Sequence, residues 1–229
     1  MHRALTAILD KGQSRSYNAG STILYQGEVP RGAFILTEGV AKSFNISHQG
    51  EEQIFNFHIE GDILAPSWVF KKTSGAVHFY EAVTDCKLHL IQRDVLMEYI
   101  DSNQHVTKFL LDRYITDYTA SLIRVTALEQ AKASDKLLYT FYYLSRLYGQ
   151  PKGVSSEITL KLTHQSIASL VGLTRETVAV ELNKLRRKKI INYSNQRYSV
   201  HSAKLLEAMG EDSFKGINLR YSSEQERHL

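Results

Sequence analysis

The sequence contains a single cysteine, Cys86, and this scarcity narrows what the protein can do. One cysteine excludes an intramolecular disulfide and makes a four-cysteine iron–sulfur cluster impossible within one chain. No run of about eighteen apolar residues occurs, so we expect no membrane span. The amino terminus, MHRALTAILDKGQ, lacks the hydrophobic core of a signal peptide. We therefore expect a cytoplasmic protein.

Catalytic and metal-binding motifs are also missing. No nucleophile–base pair, metal cluster or phosphate-binding loop stands out, so we predict that the chain is not an enzyme. His58, His78 and His89 together with Cys86 raise the question of haem or a metal, but their spacing fits no compact metal motif. We predict ordinary packed or exposed side chains at these positions and name no certain cofactor. An absorption spectrum would reveal haem.

Positive charge is concentrated in one stretch of the chain. The formal net charge of all 229 residues is +4. Residues 159–201 alone hold eight Lys or Arg and two Asp or Glu, a balance of +6 (8 − 2). The rest of the chain is therefore slightly acidic, and the basic stretch is where contact with a phosphate backbone is predicted.

The stretch Thr163–Arg187 predicts two short helices joined by a tight turn. Thr163 and Thr174 are N-cap residue types, each placed just before a helical pattern. Gly172 follows the first helix, where a residue that tolerates a left-handed conformation is needed. Spacings of four and three give the second helix one apolar stripe, consisting of Val178, Leu182 and Leu185. This layout favours a DNA-binding helix-turn-helix over a two-helix hairpin with a solvated face.

A small hairpin is predicted to follow the second helix. Residues 190–201 alternate around a turn at Ser194–Gln196, as in the wing of a winged helix. The basic run Arg186–Lys189 lies between the helix and this wing. Its cations could contact phosphates, or part of the run could simply complement the negative end of the helix.

The amino-terminal half predicts a β-structure. Between about Tyr17 and Gln92, short apolar runs are broken by regularly placed glycines, a pattern typical of a sandwich or barrel. The predicted strands are Thr22–Tyr25, Ala33–Leu36, Val40–Ile46, Gln53–Phe57, Phe79–Val83 and Lys87–Ile91.

Asn103–Ala131 is predicted to be one long helix, because it contains neither glycine nor proline. Apolar residues recur along it with heptad spacing, at Leu111, Ile115, Tyr118, Leu122 and Val125. Such a seam suits a second copy of the helix, so we predict a parallel homodimer. The alternative is packing on its own domain, for which Leu110, Tyr114 and Leu128 offer a second apolar face. Arg113, Asp117 and Arg124 are predicted to flank the seam and fix its register.

The helical stretch THQSIASLVGLTRETV, and above all its segment Gly172–Val178, resembles the helix-turn-helix of the Crp/Fnr family of bacterial transcription regulators. The resemblance implies double-stranded DNA and RNA polymerase as partners. It also implies that Arg175 and Glu176 read base edges, since arginine can bond guanine O6 and N7 and glutamate can accept from cytosine N4. Val180 stands where the cAMP-receptor branch has a second base-reading arginine. It could touch a thymine methyl group or merely face solvent.

Further contacts with the groove edge or the DNA backbone are predicted around these base-reading positions. The candidates are polar or basic residues of the two helices and the wing, namely His164, Gln165, Ser166, Thr174, Thr177, Lys184, Arg186, Arg187, Lys188 and Arg197.

The predicted strands resemble the β-roll of cyclic-nucleotide-binding domains, over roughly Tyr17–Gln92. In the family, a loop between late strands and the long helix contact the effector. Carried over to this sequence, the effector contacts are Gly61, Asp62, Ile63, Leu64, Val77, His78, Tyr118 and Thr119. No arginine occurs from Asp62 to Gln92, so a cyclic phosphate lacks its main charge-assisted partner. We predict an effector other than cAMP, with a cyclic dinucleotide, another small metabolite and no effector as alternatives.

These inferences together predict an α+β protein that regulates transcription. Its parts would be an amino-terminal, jelly-roll-like β-roll (1–102), a long dimerisation helix (103–131), a winged helix-turn-helix domain (132–212) and a flexible tail (213–229). The rival function is a ligand-binding module that acts through protein contacts and carries a degenerate DNA-binding domain.

Overall fold

The computed structural model describes residues 3–210, 216, 217 and 219. The tail predicted at 213–229 lies almost wholly outside the described residues. The chain divides into two compact units, 1–111 and 112–229, and the division falls within one long helix. Among the described residues, no helix is both long and apolar enough to cross a membrane.

Eight short antiparallel strands build the first unit. In chain order its elements are α1 (Arg3–Leu9), β1 (Gln13–Tyr17), β2 (Thr22–Leu24), β3 (Ala33–Glu38), β4 (Ala41–Ile46), β5 (Glu52–His58), β6 (Ile63–Leu64), α2 (Pro66–Val69), β7 (Phe79–Ala82), β8 (Cys86–Ile91) and α3 (Arg93–Ser102). They form two four-stranded sheets, in the orders β1-β8-β3-β6 and β2-β7-β4-β5. The predicted α+β class with an amino-terminal β-roll is confirmed.

Glycine makes one close approach in the roll possible. Gly39 has a φ of 90°, a conformation that L side chains rarely adopt. A Cβ built there would lie 2.3 Å from the carbonyl oxygen of Asp85 and 2.9 Å from Cys86 Sγ. The turn between β3 and β4 can therefore pack against the start of β8 only because residue 39 has no side chain.

The long helix α4 (Gln104–Glu129) has the length that the sequence predicts, give or take two residues at each end. Its seam residues are all at least half exposed, namely Leu111, Ile115, Tyr118, Leu122 and Val125. The predicted second face is only partly correct, because Leu110 is buried but Leu128 is exposed. In the second unit α4 instead buries a stripe of small or branched residues, Thr116, Ala120, Ile123 and Ala127. Short side chains allow close packing of a helix. A buried face made of them is not predicted by the spacing of large apolar residues.

The second unit contains the rest of α4 and a winged-helix arrangement. Its further elements are α5 (Ala133–Leu147), β9 (Gly149–Lys152), β10 (Ser155–Ile158), α6 (His164–Val171), α7 (Arg175–Arg187), β11 (Ile191–Ser194), β12 (Arg197–His201) and α8 (Ser202–Met209). The strands form one sheet in the order β11-β12-β10-β9. Helix α5 supplies much of the core, and the tyrosines within it and at its carboxy-terminal cap are buried: Tyr139, Tyr142, Tyr143 and Tyr148.

Two segments of this unit differ from what their sequences predict. The glycine, proline and serine residues of Gly149–Ser156 predict a loop, but the segment contains the strand β9 and the start of β10. The segment Ile158–Leu162 predicts a short strand before the helix-turn-helix, but β10 ends at Ile158. Glycine and Pro151 argue against a central strand, yet β9 lies at the sheet edge, where proline is tolerated because one side of the strand needs no hydrogen bonds.

Candidate nucleic-acid interface

Helix α6 begins and ends as its sequence predicts. The Thr163 Oγ1 accepts a hydrogen bond from the Ser166 backbone N–H at 3.0 Å, and the Thr163 backbone N–H donates to Ser166 Oγ at 2.8 Å. This reciprocal capping box fixes the first turn. Gly172 ends the helix in the left-handed conformation, with φ 65° and ψ 42°.

The second helix of the motif, α7, starts at Arg175, three residues after that glycine. Thr174 caps it by accepting from the Thr177 backbone N–H at 3.2 Å. The predicted stripe of Val178, Leu182 and Leu185 is buried. The predicted helix-turn-helix is thus confirmed as a local structure, with α7 packed on the domain through one face only.

The outer face of α7 is open to solvent. Arg175 and Glu176 are exposed in the first turn, and Asn183 is exposed further along. Val180 lies on the same face, with 54% of its surface exposed. The capped end of α7 therefore presents one cation, one anion and one apolar group in neighbouring positions.

The basic side chains near the carboxy-terminal end of α7 are not equally available for a contact with DNA. Lys184 Nζ lies 2.6 Å from Glu181 Oε1, so part of its charge is offset within the helix. Arg186, Arg187 and Lys188 are exposed in or beside the last turn, where positive charge complements the helix dipole. This geometry is compatible with both predicted roles of the basic run Arg186–Lys189, which are contact with phosphates and stabilisation of the negative end of the helix.

Three predicted DNA-contacting hydroxyl groups already have structural partners. Ser166 completes the capping box of α6. The Thr174 and Thr177 hydroxyl oxygens lie 3.0 Å apart at the start of α7. His164 and Gln165, in contrast, are exposed in the first turn of α6. Ser166, Thr174 and Thr177 therefore stabilise the motif itself, whereas the side chains of His164 and Gln165 are exposed.

The wing is a tight hairpin. Strands β11 and β12 pair in register from Ile191↔Val200 to Ser194↔Arg197. At its tip Asn195 and Gln196 have φ values of 52° and 62°, so the hairpin uses a turn with two left-handed residues. Arg197 lies beside this tip, but its Nη1 is 3.6 Å from Glu157 Oε1, so this predicted DNA contact already has an anionic neighbour.

Arg124 ties α4 to the first helix of the motif. Its Nη2 donates to the Leu170 carbonyl oxygen at 3.3 Å, near the end of α6. Burial lowers the pKa of this guanidinium, while the neighbouring hydroxyl groups of Tyr143 and Tyr148 act in the opposite direction. The guanidinium of Arg124 therefore has a partner within its own chain, and its predicted place beside a dimer seam stays a prediction. The long side chain reaches a carbonyl of its own chain, which sequence spacing alone does not reveal.

Comparison with known proteins identifies the two parts of the chain. Residues 137–209 match the model of the Crp-like helix-turn-helix domain, and residues 14–103 match that of the cyclic nucleotide-binding domain. A probable transcriptional activator of Rhizobium leguminosarum bv. viciae is 25% identical over 209 residues, covering 87% of this chain and 85% of that protein. The fumarate and nitrate reduction regulatory protein of Vibrio cholerae is 23% identical, with coverages of 83% and 76%. The chain belongs to the Crp/Fnr family of transcription regulators.

A solved structure supports the fold of this Crp/Fnr regulator. A CooA mutant from Carboxydothermus hydrogenoformans superimposes with a TM-score of 0.72 at 18% identity, covering 89% of this chain and 90% of that one. At such low identity the likeness concerns the fold alone.

The effector residues that the resemblance suggested lie in different environments in this Crp/Fnr regulator. Gly61 forms a turn with φ 89°, and the buried Asp62 accepts from the Ile59 backbone N–H at 2.7 Å. Ile63 and Leu64 are buried in β6, where they pair with β3. The side chains of these residues therefore serve the roll itself.

The remaining effector candidates are more accessible. Val77 is exposed, and His78 is half-buried with its Nδ1 3.0 Å from Asn45 Oδ1 and its ring stacked on Phe55. On α4, Tyr118 is exposed and the Thr119 hydroxyl donates to the Ile115 carbonyl at 2.9 Å.

The first arginine after the predicted effector loop, Arg93, lies beside Trp68 of that loop. The arginine-free stretch ends at Gln92, and Arg93 follows it as the first residue of α3. Its guanidinium carbon lies 4.7 Å from the centre of the Trp68 ring, in the cation–π range. Trp68 itself is buried, in line with a packing role.

His58, like His78, has partners within the protein. His58 Nε2 lies 3.0 Å from Ser43 Oγ, and its Nδ1 is 3.9 Å from Asp62 Oδ2. Within the described part of the chain, no group of three or more His, Cys, Asp or Glu side chains could hold a metal ion.

We expect the Cys86 thiol to be unreactive in the folded protein. It is buried and donates toward the carbonyl oxygens of Val40 and Thr84, each 3.2 Å away. Burial raises its pKa, so at neutral pH even less thiolate is present than in a free cysteine. Titration with Ellman's reagent should give one equivalent in guanidinium chloride and almost none in native buffer. Rapid reaction of the native protein would show that the roll opens readily.

Proposed function

We propose that this Crp/Fnr regulator binds an inverted-repeat operator as a homodimer, with α7 of each subunit in the major groove of one half-site. The observation that carries the proposal is the capped, exposed first turn of α7, where Arg175 and Glu176 lie above a fully buried stripe. Their side chains match the donor and acceptor patterns of guanine and cytosine. The regulatory role is non-catalytic and cytoplasmic, and RNA polymerase is the expected protein partner at a promoter.

The homodimer is proposed from the exposed seam of α4. Leu111, Ile115, Tyr118, Leu122 and Val125 form an apolar stripe along a helix of 26 residues, and water is a poor environment for such a stripe. A parallel pair of α4 helices would cover it by knobs-into-holes packing. Two-fold symmetry then requires two half-sites about one helical turn, roughly 34 Å, apart.

DNA selection from a random-sequence library tests this function. Purified ligand-free protein at fixed salt should recover an inverted repeat. This result would show that the DNA-binding domain recognises sequence without an effector. If nothing is recovered, repeating the selection with a panel of nucleotides separates an effector-dependent regulator from the rival protein-contact module. If the protein binds no DNA at physiological salt in either experiment, the rival function, a module that acts through protein contacts, is favoured.

We further propose that any effector is not cAMP. Its contacts would come from the accessible residues Val77, His78, Tyr118 and Thr119, while Gly61–Leu64 shape the roll. A cyclic dinucleotide, another metabolite or no effector are the options. Ligand contacts on α4 would act by shifting the population between two orientations of the DNA-binding domains.

Calorimetry with cAMP provides the direct check. A cyclic phosphate without a fixed guanidinium loses a contact typically worth about 1.5–3 kcal/mol. We expect no binding at low micromolar concentration. Arg93 is the relevant control position, because it is the first arginine after the loop. Tight cAMP binding that Arg93→Gln abolishes would show that Arg93 takes the place of the missing arginine.

A further inference from the structure

A pocket of about 260 Å³ lies in the carboxy-terminal unit, between the last turn of α7 and the base of the wing. An α-helix rises about 1.5 Å per residue, so Arg186 lies roughly 16 Å along the axis from Arg175. The pocket is therefore separate from the end of α7 to which base reading is assigned. None of the family-derived effector positions lines it.

The polar groups that line the pocket suit an anion. Arg186 and Lys189 each contribute a positive charge. The sheet adds neutral donors, from Ser155, Asn192, Ser199 and His201. Within the described part of the chain, no acidic residue is among those that line the pocket. Several donors around two positive charges are an arrangement by which proteins bind oxyanions.

A carboxylate on the same sheet, that of Glu157, already lies beside two cations. Glu157 pairs with Ser199 in the register of β10 and β12. Its side chain lies 2.8 Å from Lys152 Nζ and 3.6 Å from Arg197 Nη1. The hydrogen bond from Lys152 lowers the pKa of Glu157, so the carboxylate is ionised, but two cations offset it. An anion in the pocket therefore meets a net positive field.

The backbone at Lys189 is unusual. Its φ of 56° is left-handed, a conformation that is unfavourable for a residue with a Cβ and that glycine would adopt freely. The Lys189 N–H donates to the Arg186 carbonyl at 2.9 Å, which closes the turn after α7. A charged side chain thus occupies a position where the turn alone would favour glycine or asparagine.

The tautomer of His201 adds a further donor. Its Nδ1 accepts from the Lys204 backbone N–H at 3.4 Å and so caps α8. A neutral imidazole whose Nδ1 accepts carries its proton on Nε2. The ring at the pocket therefore has an N–H available to an anion.

We propose that this pocket binds a phosphate-bearing anion. The anion is either a phosphate of the DNA backbone or the phosphate of a free small molecule, since both present the same tetrahedral oxyanion. The site is assayed on the free protein, so it does not depend on which bases α7 reads.

Isothermal titration of the full chain with inorganic phosphate tests the site. We expect saturable binding of one phosphate per chain. Lys189→Asn should weaken it about tenfold or more, because a charge-assisted contact is lost while asparagine still tolerates the left-handed backbone. Lys161→Asn is the matched control, since it removes the same charge from an exposed residue outside the pocket and should leave the affinity unchanged.

Two results would overturn the proposal: no saturable phosphate binding by the wild-type chain, or equal weakening by both variants, which would indicate only a general charge effect. Thermal melts of both variants control for folding, and Arg186→Gln provides an independent second variant if Lys189→Asn unfolds. Adding nonspecific duplex DNA then identifies the source of the anion. Displacement of phosphate indicates the DNA backbone, whereas binding that persists in the DNA complex indicates a free phosphorylated compound. Failure of the operator selection with phosphate binding intact would contradict only the proposed DNA reading.

Discussion

Leu122→Glu is expected to make this regulator monomeric at micromolar concentration and to lower its operator affinity by a factor of about 100 or more. Leu122 lies in the seam of α4 and is half exposed in the single chain, so the change should leave the subunit folded. In the dimer, two glutamates would face each other across a dry interface, which is strongly unfavourable. Loss of one half-site contact removes an avidity gain of about 10²–10⁴.

Sedimentation velocity and operator titration measure the two effects together. Ser121→Glu is the matched control, because Ser121 is exposed on α4 next to the seam but outside it. Flanking positions of coiled coils commonly carry charge, so this variant should stay dimeric and bind normally. A dimeric Leu122→Glu protein would refute the seam, whereas a monomer that still bound the full operator tightly would refute the two-half-site model.

Arg175→Ala should weaken binding to the selected operator by about 1–3 kcal/mol, or roughly 5- to 150-fold, and relax the preference at one base pair per half-site. Arg175 is exposed at the first position of α7, so the substitution removes little packing. Stability should therefore change by no more than about 0.5 kcal/mol. The loss of affinity then reports recognition and not unfolding.

Lys188→Ala distinguishes base reading from backbone contact. Lys188 caps the far end of α7, and its loss should weaken all DNA sequences alike and reduce the salt slope by about 1. Competition titrations of both variants against operator and scrambled duplexes at several salt concentrations separate the two patterns. If Arg175→Ala bound the operator as tightly as the parent protein, or lost affinity equally for scrambled DNA, its assignment to base reading would be wrong.

Arg124 connects these two predictions structurally. It belongs to α4, which carries the seam, and it donates to Leu170 of α6, which positions α7. Any change in α4 that moves this guanidinium therefore acts on the first helix of the DNA-binding motif. Thr116, Ala120, Ile123 and Ala127 are buried on the same helix.

Features that depend on near neighbours in the chain could be predicted from the amino-acid sequence. Thr163, Gly172 and Thr174 begin and end their helices through contacts within three or four residues, so a short window contains all the information. The buried stripe of α7 follows from helical periodicity in the same way. The six predicted roll strands appear for the same local reason, with their ends shifted by at most two residues.

Features that depend on a segment far away in the sequence could be seen only in the three-dimensional structure. Strand β9 forms despite Gly149 and Pro151 because β10 pairs with it at the edge of a sheet. Arg124 turns to a carbonyl 46 residues away, and Ile63 and Leu64 become core residues because β3 pairs with them. The proposed phosphate pocket is lined by the end of α7 together with strands that precede and follow α7 in the sequence. Hydrogen bonds and burial of this kind arise between segments that are far apart in sequence, and no local pattern specifies which segments will meet.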